Sequence, residues 1–283
     1  MIAPVVDVEW VASHDVVLAD VRWYLDGRSG REAYERGHIP GAVFVDLDRV
    51  LAAPGSPADG RHPLPSPDAF AEGMAALGIG DDDTVVAYDD AGGVTAARLV
   101  WMLRAPGHAA ALLDGGLDAW DGPLASGAET TRPAAPSDAA APAGADRPPA
   151  RFTARPWPAA RLATIDDAAD GGNVVLDARE RARFVGAEEP VDPRPGHIPG
   201  ARSLPTRGHL APDKRFLPAG ELRARLEAAG VVDGARVVSY CGSGVNACHS
   251  LLALEHAGFA PGRLYPGSYS QWSHSDREVE TAE

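Results

Sequence analysis

The side chains best suited to covalent chemistry lie in one short segment, SYCGSGVNACHS at residues 239–250. Cys241 follows an apolar run that predicts a strand, and a predicted helix begins a few residues later. Gly242 and Gly244 allow the backbone to turn so that successive N–H groups point at one centre, and the helix adds unpaired N–H groups of its own. Such a loop stabilises an anion, and a cysteine becomes a nucleophile as its thiolate. The pattern therefore predicts a reactive Cys241 rather than a buried, inert cysteine.

The loop that follows this cysteine, hereafter the cysteine loop (residues 241–246), carries two more hydrogen-bonding side chains. Ser243 and Asn246 can reach inward and donate to an anion. We predict that four loop residues bind substrate: Gly242, Gly244, Val245 and Asn246. Cys248 lies about two helical turns beyond Cys241, so a disulfide between them is not expected. We predict that Cys248 is a core packing residue.

Two other uses of this segment are not expected. His249 and His256 do not form a four-ligand spacing with the two cysteines, so no metal site is predicted, and the chemistry requires no cofactor. Cysteine-dependent phosphatases resemble the loop in outline, but they carry an arginine six positions after the cysteine to bind phosphate. The corresponding residue here is Ala247, so phosphatase activity is not expected.

Composition excludes several classes of partner. The formal net charge is −14, which argues against a general nucleic-acid binder because such proteins need a basic face. No stretch approaches the roughly 20 apolar residues that cross a bilayer, and the first 15 residues lack a basic leader. With only two cysteines among 283 residues, no disulfide framework is expected. We predict a cytoplasmic protein that acts on small molecules.

Four motifs occur twice and in the same order, which indicates an internal duplication. The paired segments are VVLADVRW (16–23) with NVVLDARE (173–180), GHIPGA (37–42) with GHIPGA (196–201), TVVAYDD (84–90) with RVVSYCG (236–242), and GGLDAW (115–120) with GSYSQW (267–272). The last two pairs share one offset, since 236 − 84 and 267 − 115 are both 152. Asp89 takes the position of Cys241 in the first copy. We therefore predict one active and one silent copy of the same domain.

Each copy alternates short β-branched runs with helical patterns, which is typical of an α/β fold with a mainly parallel sheet flanked by helices. In the second copy we predict strands over Val174–Asp177 and Val237–Tyr240 and helices over Leu222–Ala229 and Ala247–Ala257. The predicted domains are residues 1–126 and 152–283, joined by an Ala/Pro-rich linker at 127–151. Ligands of such sheets bind at the carboxyl ends of strands, where Cys241 is predicted to lie.

Taken together, the repeated GHIPGA, VVLDAR, VVSYCGSGVNA and YPGSYSQW resemble the two-domain rhodanese family of sulfurtransferases, over the whole chain apart from the linker. The resemblance implies two tandem rhodanese-like domains. It also implies that the C-terminal domain carries the nucleophilic cysteine and that the N-terminal domain has lost it, in agreement with Cys241 and Asp89. Sulfur would then pass from a small-molecule donor, through a Cys241 persulfide, to a thiol, a thioredoxin-like protein or cyanide.

Residues next to the cysteine bear on the donor. Family members that use thiosulfate carry basic residues there, whereas members that use 3-mercaptopyruvate carry Cys-Gly-Ser-Gly-Val-Thr. Gly242 and Ser243 therefore favour mercaptopyruvate, although Asn246 stands where those members have threonine. A thiosulfate:cyanide sulfurtransferase is the alternative, and a non-catalytic rhodanese-like binding module is a third reading.

The resemblance also implies roles outside the loop. Arg179 would clamp the donor carboxylate with two parallel hydrogen bonds, and Arg183 is a second candidate unless it belongs to a solvated helix face. Asp48 and His62 would form a proton relay with Ser243 unless they are two polar surface residues. His38 and His197 occur in both copies, so we interpret them as structural.

Overall fold

Two parallel β-sheets, one from each half of the chain, form the framework of the molecule. The computed structural model describes residues 2–128 and 150–282. The first sheet has the order β1-β5-β4-β2-β3, with strands β1 (Val5–Val6), β2 (Val17–Asp20), β3 (Val43–Phe44), β4 (Val85–Tyr88) and β5 (Ala110–Leu113). The second has the order β7-β6-β8-β9, with strands β6 (Val174–Asp177), β7 (Arg202–Ser203), β8 (Val237–Tyr240) and β9 (Arg263–Leu264). β4 and β8, which precede Asp89 and Cys241, are both interior strands.

Helices connect the strands and cover both sheets, as parallel pairing requires. In the first half these are α1 (Val8–Ala12), α2 (Gly30–Arg36), α3 (Pro67–Ala76) and α4 (Ala96–Arg104), with a π-helical turn at Leu47–Leu51. In the second half they are α5 (Ile165–Ala169), α6 (Arg181–Phe184), α7 (Ala219–Ala228), α8 (Ala247–His256) and α9 (Ser268–Trp272). The predicted α/β fold with two tandem domains is confirmed.

Strand register repeats between the halves, as a duplication requires. Asp20 pairs with Tyr88 in the first sheet, and Asp177 pairs with Tyr240 in the second, so the residues before Asp89 and Cys241 have equivalent partners. The strand that would correspond to β1 is reduced in the second half to one parallel bridge, between Leu162 and Leu264. Both copies therefore place the residue after the central strand at the same edge of the sheet.

Predicted elements around the cysteine agree closely with the observed ones. β6 and β8 have the predicted bounds, and α8 begins at the predicted residue. Helix α7 begins at Ala219, directly after Pro218 and three residues before the predicted Leu222. β8 and α8 therefore fix both ends of the short cysteine loop.

The predicted domain boundaries stay a prediction, because most of the predicted linker, residues 129–149, lies outside the described residues. After residue 150, the chain contacts the first domain. Thr153 Oγ1 donates to Asp81 at 2.6 Å, and the Trp157 indole N–H donates to the Pro65 carbonyl at 2.8 Å. These contacts precede the first element of the second sheet.

Helices α4 and α8 pack against each other at the interface between the two domains. One hydrophobic cluster contains residues of both helices, so the two domains share a continuous core. At its edge, Arg104 of α4 pairs with Glu255 of α8 at 2.8 Å. Loop residues that follow β4 and β8 are therefore held by a common interface. Among the described residues, no helix is long and apolar enough to cross a membrane.

Two buried histidines at this interface predict a pH-dependent stability. His209 and His249 are fully buried, with their Nδ1 atoms 3.3 Å apart. Burial lowers the pKa of His249 to about 4 and the pKa of His209 well below its usual value, and the charge of a protonated His249 would lower the pKa of His209 further. Between about pH 6.5 and pH 4 the unfolded chain therefore binds protons that the folded protein does not. The free energy of unfolding must fall as the pH falls through that window.

Urea unfolding at pH 5 and pH 7 measures this effect. Each buried histidine contributes a slope of up to about 1.4 kcal/mol per pH unit. We expect a His249→Gln variant to show a smaller difference between the two pH values than the wild type. The same change at the exposed His14 should leave the difference unaltered. An equal pH slope in wild type and His249→Gln would contradict the assignment.

Candidate active site

Cys241 is the first residue after β8, at the carboxyl end of an interior strand. It is buried, and its Sγ accepts a hydrogen bond from the Gly244 N–H at 3.1 Å. The cysteine loop curls back over the sulfur and leads directly into α8. Sulfur, loop N–H and helix N-terminus thus lie in the arrangement that stabilises a thiolate.

Two glycines make this curl possible. Gly244 has φ of +78°, and a Cβ there would lie 2.8 Å from the Pro266 carbonyl oxygen. A Cβ on Gly242 would lie 2.7 Å from Nη2 of Arg61. Any larger residue would strain the turn at Gly244 and displace a guanidinium group at Gly242.

Residues 265–270 of the same domain also hold the cysteine loop. Ser268 Oγ accepts the Cys241 N–H at 3.2 Å and donates to the Tyr265 carbonyl at 2.9 Å. Ser268 has φ of +52°, which is uncommon for a residue with a side chain. The next two N–H groups, of Tyr269 and Ser270, donate to the carbonyls of Cys241 and Gly242 at 2.9 Å each. The backbone on both sides of the sulfur is therefore fixed.

In the silent copy, a carboxylate occupies the equivalent turn, the silent loop (residues 89–94). Oδ1 of Asp89 accepts N–H groups of Ala91 and Gly93 at 2.7 and 2.8 Å. Oδ2 accepts the N–H and hydroxyl of Thr95 at 2.7 and 2.8 Å and the Ala96 N–H at 3.0 Å. The same turn thus binds an anion in the first domain, with a carboxylate in place of the sulfur.

Three predicted relay residues from both domains lie together. The Ser243 hydroxyl is 2.8 Å from Nδ1 of His62, and Nε2 of His62 is 3.3 Å from Oδ1 of Asp48. Trp23 donates to the other oxygen of Asp48 at 3.0 Å. Although 181 residues separate His62 from Ser243, domain packing brings them into hydrogen-bond contact.

Burial keeps His62 neutral near pH 7. Desolvation lowers the pKa of His62 to about 4, outweighing the nearby charge of Asp48, which raises it. In the neutral ring, Nε2–H donates to Asp48 and Nδ1 is then free to accept the hydroxyl hydrogen of Ser243. The three residues can therefore pass a proton away from Ser243 and return it.

Arg179, the predicted carboxylate clamp, is engaged elsewhere. Its guanidinium forms a fork on Asp177, with Nη2 at 2.6 Å, and Nη2 also donates to the Gly196 carbonyl at 2.6 Å. Arg22 makes the same contacts with Asp20 and Gly37 in the silent copy. Nη1 donates to Glu189 at 3.3 Å, so Arg179 is buried in a set of hydrogen bonds that connects β6 with the GHIPGA turn and with Glu189. Its role as the clamp of the donor carboxylate stays a prediction.

Arg183, the second candidate, does face the loop, together with Arg61 of the first domain. A Cβ on Gly242 would lie 3.4 Å from Nη1 of Arg183. Behind these cations, Asp192 bridges Arg61 and Arg183, and Glu189 accepts from Arg183 at 2.6 Å. Burial opposes ionisation of Glu189, but Arg183 and backbone N–H groups hold its pKa below the usual value. Arg183 is thus part of an ordered ion network rather than a solvated helix face.

Comparison with known proteins agrees with this geometry. The family model of the rhodanese-like domain matches residues 8–122 and 162–275. The chain belongs to the rhodanese family. The predicted membership of the two-domain rhodanese-family sulfurtransferases is therefore confirmed, and such an enzyme takes sulfur from a small donor and passes it to an acceptor.

Individual relatives point to two donors. A Pseudomonas aeruginosa protein named as a probable 3-mercaptopyruvate sulfurtransferase is 41% identical over 271 residues, covering 91% of this chain and 89% of that protein. Mycobacterium tuberculosis SseB, described as a candidate thiosulfate sulfurtransferase, is 42% identical over 264 residues, covering 93% and 89%. The structure of Escherichia coli SseA, named among 3-mercaptopyruvate sulfotransferases, has a TM-score of 0.77 and 30% identity, covering 94% and 99%.

Val245 and Asn246 form the last part of the cysteine loop. Val245 is buried in the core, and Asn246 is the N-cap residue of α8, with an ordinary helical φ of −64° and no side-chain cap bond. Cys248 is fully buried, its Sγ lies 3.4 Å from the Gly244 carbonyl, and burial raises its pKa to about 12. Both cysteines are free.

Sequence reasoning missed two arginines of the first domain, Arg61 and Arg98. Arg61 lies beside His62 in GRHPLP, so its position next to a relay residue was a signal. Arg98 lies within the apolar run AARLVWMLR of α4, and a charged residue within such a run was a signal because arginines are rarely fully buried.

His38 and His197 each lie within hydrogen-bond distance of a carbonyl in their own domains, at Tyr34 and Phe184. Among the described residues, no group of three metal-ligating side chains comes together.

Proposed function

We propose that this chain transfers sulfur from 3-mercaptopyruvate, through a persulfide on Cys241, to a thiophilic acceptor. The observation that carries the proposal is the position of the Cys241 sulfur. It lies beneath the Gly244 N–H, in a loop that also presents the Ser243–His62–Asp48 relay and has no basic side chain of its own.

In the first step, the Cys241 thiolate attacks the sulfur of the donor, and a sulfur–sulfur bond forms. The carbon–sulfur bond breaks, and its electron pair goes to the methylene carbon of the leaving pyruvate enolate. Loop N–H groups stabilise the negative charge that stays on the sulfur pair. No external oxidant is required, since the electrons that the sulfur pair gives up leave with the enolate.

The relay supplies the proton that the enolate needs. The thiol proton of the donor passes to Ser243 and His62, and it returns through the Ser243 hydroxyl to the enolate carbon as pyruvate forms. Because burial depresses the pKa of His62, the ring holds the proton only transiently. Asp48 fixes the tautomer that leaves Nδ1 facing Ser243.

Charge balance around Gly242 favours a donor with a single carboxylate. The positive charges of Arg61 and Arg183 are matched by Asp192 and Glu189, so these ionised side chains carry no net charge together. One carboxylate can bind Nη1 of Arg183, which faces Gly242. A compact dianion such as thiosulfate carries twice the charge, so Asp192 and Glu189 would repel it more strongly.

In the second step, an acceptor thiolate attacks the outer sulfur, and Cys241 leaves as the thiolate that began the cycle. We propose a low-molecular-weight thiol or a thioredoxin-like protein as the acceptor, with cyanide as a laboratory substitute. The two free thiols also support the cytoplasm as the proposed location, because a reducing compartment keeps Cys241 available.

A comparison of donors tests this assignment. We expect kcat/KM for 3-mercaptopyruvate to exceed that for thiosulfate by at least about 10-fold, the effect of one unfavourable charge contact of roughly 1.4 kcal/mol. Both donors should be measured with the same acceptor and ionic strength. Thiosulfate is the second candidate, because two guanidinium groups do lie near the loop, and a clear preference for it would overturn the mercaptopyruvate assignment.

A further inference from the structure

Arg98 is a fully buried guanidinium at the domain interface, directly beneath the cysteine loop. It belongs to α4 of the silent domain, but its Nη1 donates to the Gly244 carbonyl of the active domain at 3.0 Å. Nη2 donates to the His62 carbonyl at 2.9 Å and to the Leu51 carbonyl at 3.2 Å. One side chain thus connects the cysteine loop with the backbone of the relay histidine.

No carboxylate among the described residues balances this charge. Within residues 2–128 and 150–282, the hydrogen bonds of Arg98 go to carbonyl oxygens, and no acidic side chain lies within ion-pair distance. Buried charges are ordinarily paired, because an unpaired one loses its hydration without compensation. Arg104, another buried arginine of α4, follows that rule and pairs with Glu255. The groups that can offset Arg98 are the nearby sulfurs of Cys248 and Cys241, with which its charge interacts.

The silent loop provides an internal comparison. Gly92 is the equivalent of Gly244, since 244 − 152 is 92, and both glycines have nearly the same φ, +79° and +78°. The Gly92 carbonyl is contacted from the opposite domain by Nε2 of His249 at 3.3 Å. Burial lowers the pKa of His249 to about 4, so that contact is neutral. The silent loop thus holds a carboxylate, Asp89, over a neutral ring, whereas the cysteine loop lies over a guanidinium group.

We propose that Arg98 is a positioning residue that supplies the counter-charge for the Cys241 thiolate and persulfide. Its hydrogen bonds also hold the cysteine loop and the backbone of His62 in fixed positions relative to each other. The role of Arg98 at the persulfide rests on the proposed function, whereas its role at the Cys241 thiolate does not. Arg98 also gives the silent domain a specific role, because its helix α4 delivers a cation to the nucleophile of the other domain.

Several other charged or titratable groups surround the loop, and the test must separate them from Arg98. Arg61 and Arg183 lie over Gly242, and His62 contacts Ser243. Cys248 lies on α8, and burial raises its pKa to about 12, so it stays a thiol at neutral pH. Since Arg61 and Arg183 are matched by Asp192 and Glu189, Arg98 is the unmatched charge of this set.

The experiment measures the rate of Cys241 alkylation by iodoacetamide at pH 7.5, with kcat and KM for mercaptopyruvate, in full-length protein. We expect Arg98→Met to slow alkylation by about 10-fold or more and to lower kcat with little change in KM. Arg98→Lys restores the charge but not the three-way hydrogen bonding, so it should recover alkylation more fully than kcat. Arg104→Met, which removes a paired arginine from the same helix, should leave the alkylation rate within about 2-fold of wild type.

A reciprocal variant covers the case in which Arg98→Met does not fold. Cys248→Asp places a permanent carboxylate beside Arg98 and should slow Cys241 alkylation as Arg98→Met does, whereas Cys248→Asn should not. Alkylation rates within about 2-fold of wild type in folded Arg98→Met, or equal rates in Cys248→Asp and Cys248→Asn, would overturn the proposal. Alkylation of Cys241 requires no sulfur donor. A wild-type protein with no activity toward mercaptopyruvate would therefore refute the proposed function, while the alkylation rates would still test the role of Arg98.

Discussion

Replacing Cys241 by serine is expected to reduce sulfur transfer by at least about 10³-fold with either donor, because the attacking sulfur is lost. The variant should fold, since serine is smaller and the loop backbone is held by hydrogen bonds to the Ser268 hydroxyl and from the N–H groups of Tyr269 and Ser270. Steady-state assays with mercaptopyruvate and cyanide, together with circular dichroism of both proteins, measure the loss and exclude unfolding.

Cys248→Ser is the matched control. Cys248 lies seven residues further on, within α8, and is fully buried. Because its thiol is not ionised at neutral pH, we expect turnover to stay within about 3-fold of wild type, with a modest loss of stability from the buried hydroxyl. Full activity in Cys241→Ser, or a comparable loss in Cys248→Ser, would contradict the assignment of the nucleophile.

Replacing Arg183 by methionine is expected to lower kcat/KM for mercaptopyruvate by about 10- to 100-fold, the range for a lost charged hydrogen bond. Two effects act in the same direction. The donor carboxylate loses the guanidinium that faces Gly242, and Glu189 and Asp192 lose a partner, so their negative charge repels the donor. Steady-state kinetics of the variant with both donors measure the effect.

Conservative and neighbouring variants separate this contact from general damage to α6. Arg183→Lys keeps the charge but cannot form two parallel hydrogen bonds, so it should recover only part of the loss. Arg181→Met changes an exposed residue of the same helix and should stay within about 2-fold of wild type. If Arg179→Met reduced kcat/KM more than Arg183→Met in equally stable proteins, the carboxylate contact would return to Arg179.

The local order of strand, loop and helix around Cys241 could be predicted because it depends on neighbouring residues. Apolar runs define β8 and α8, and the two glycines allow the turn between them. The silent copy could also be predicted, since Asp89 precedes Cys241 by the same 152 residues that separate two of the repeated motifs. These features follow from hydrophobic period, from the backbone freedom of glycine and from the repeat itself.

The different contacts of Arg179 and Arg183 are visible only in the folded structure. An arginine two residues after a buried aspartate can turn back onto it, as both Arg22 and Arg179 do. The duplicated Asp-x-Arg already carried this signal, because a residue present in the silent copy is not specific to the thiol. The same reasoning underlies our interpretation of His38 and His197 as structural, and it can be applied to Arg179.

The contributions of the silent domain were harder to predict, because they depend on how the two domains pack. Asp48 and His62 could be named from their motifs, but no local pattern shows that His62 contacts Ser243. Arg61 and Arg98 reach the cysteine loop only through the packed interface. The first domain therefore supplies two of the three relay residues and two of the guanidinium groups at the cysteine loop.

The central claim is that sulfur rests on Cys241 between the two half-reactions. Its most direct measurement is mass spectrometry of the wild type treated with mercaptopyruvate in the absence of an acceptor, followed by peptide mapping under conditions that preserve persulfides. We predict one added sulfur atom, located on the peptide that contains Cys241 and removed by cyanide. Turnover with no sulfur on Cys241, or with the added sulfur on Cys248, would contradict the account.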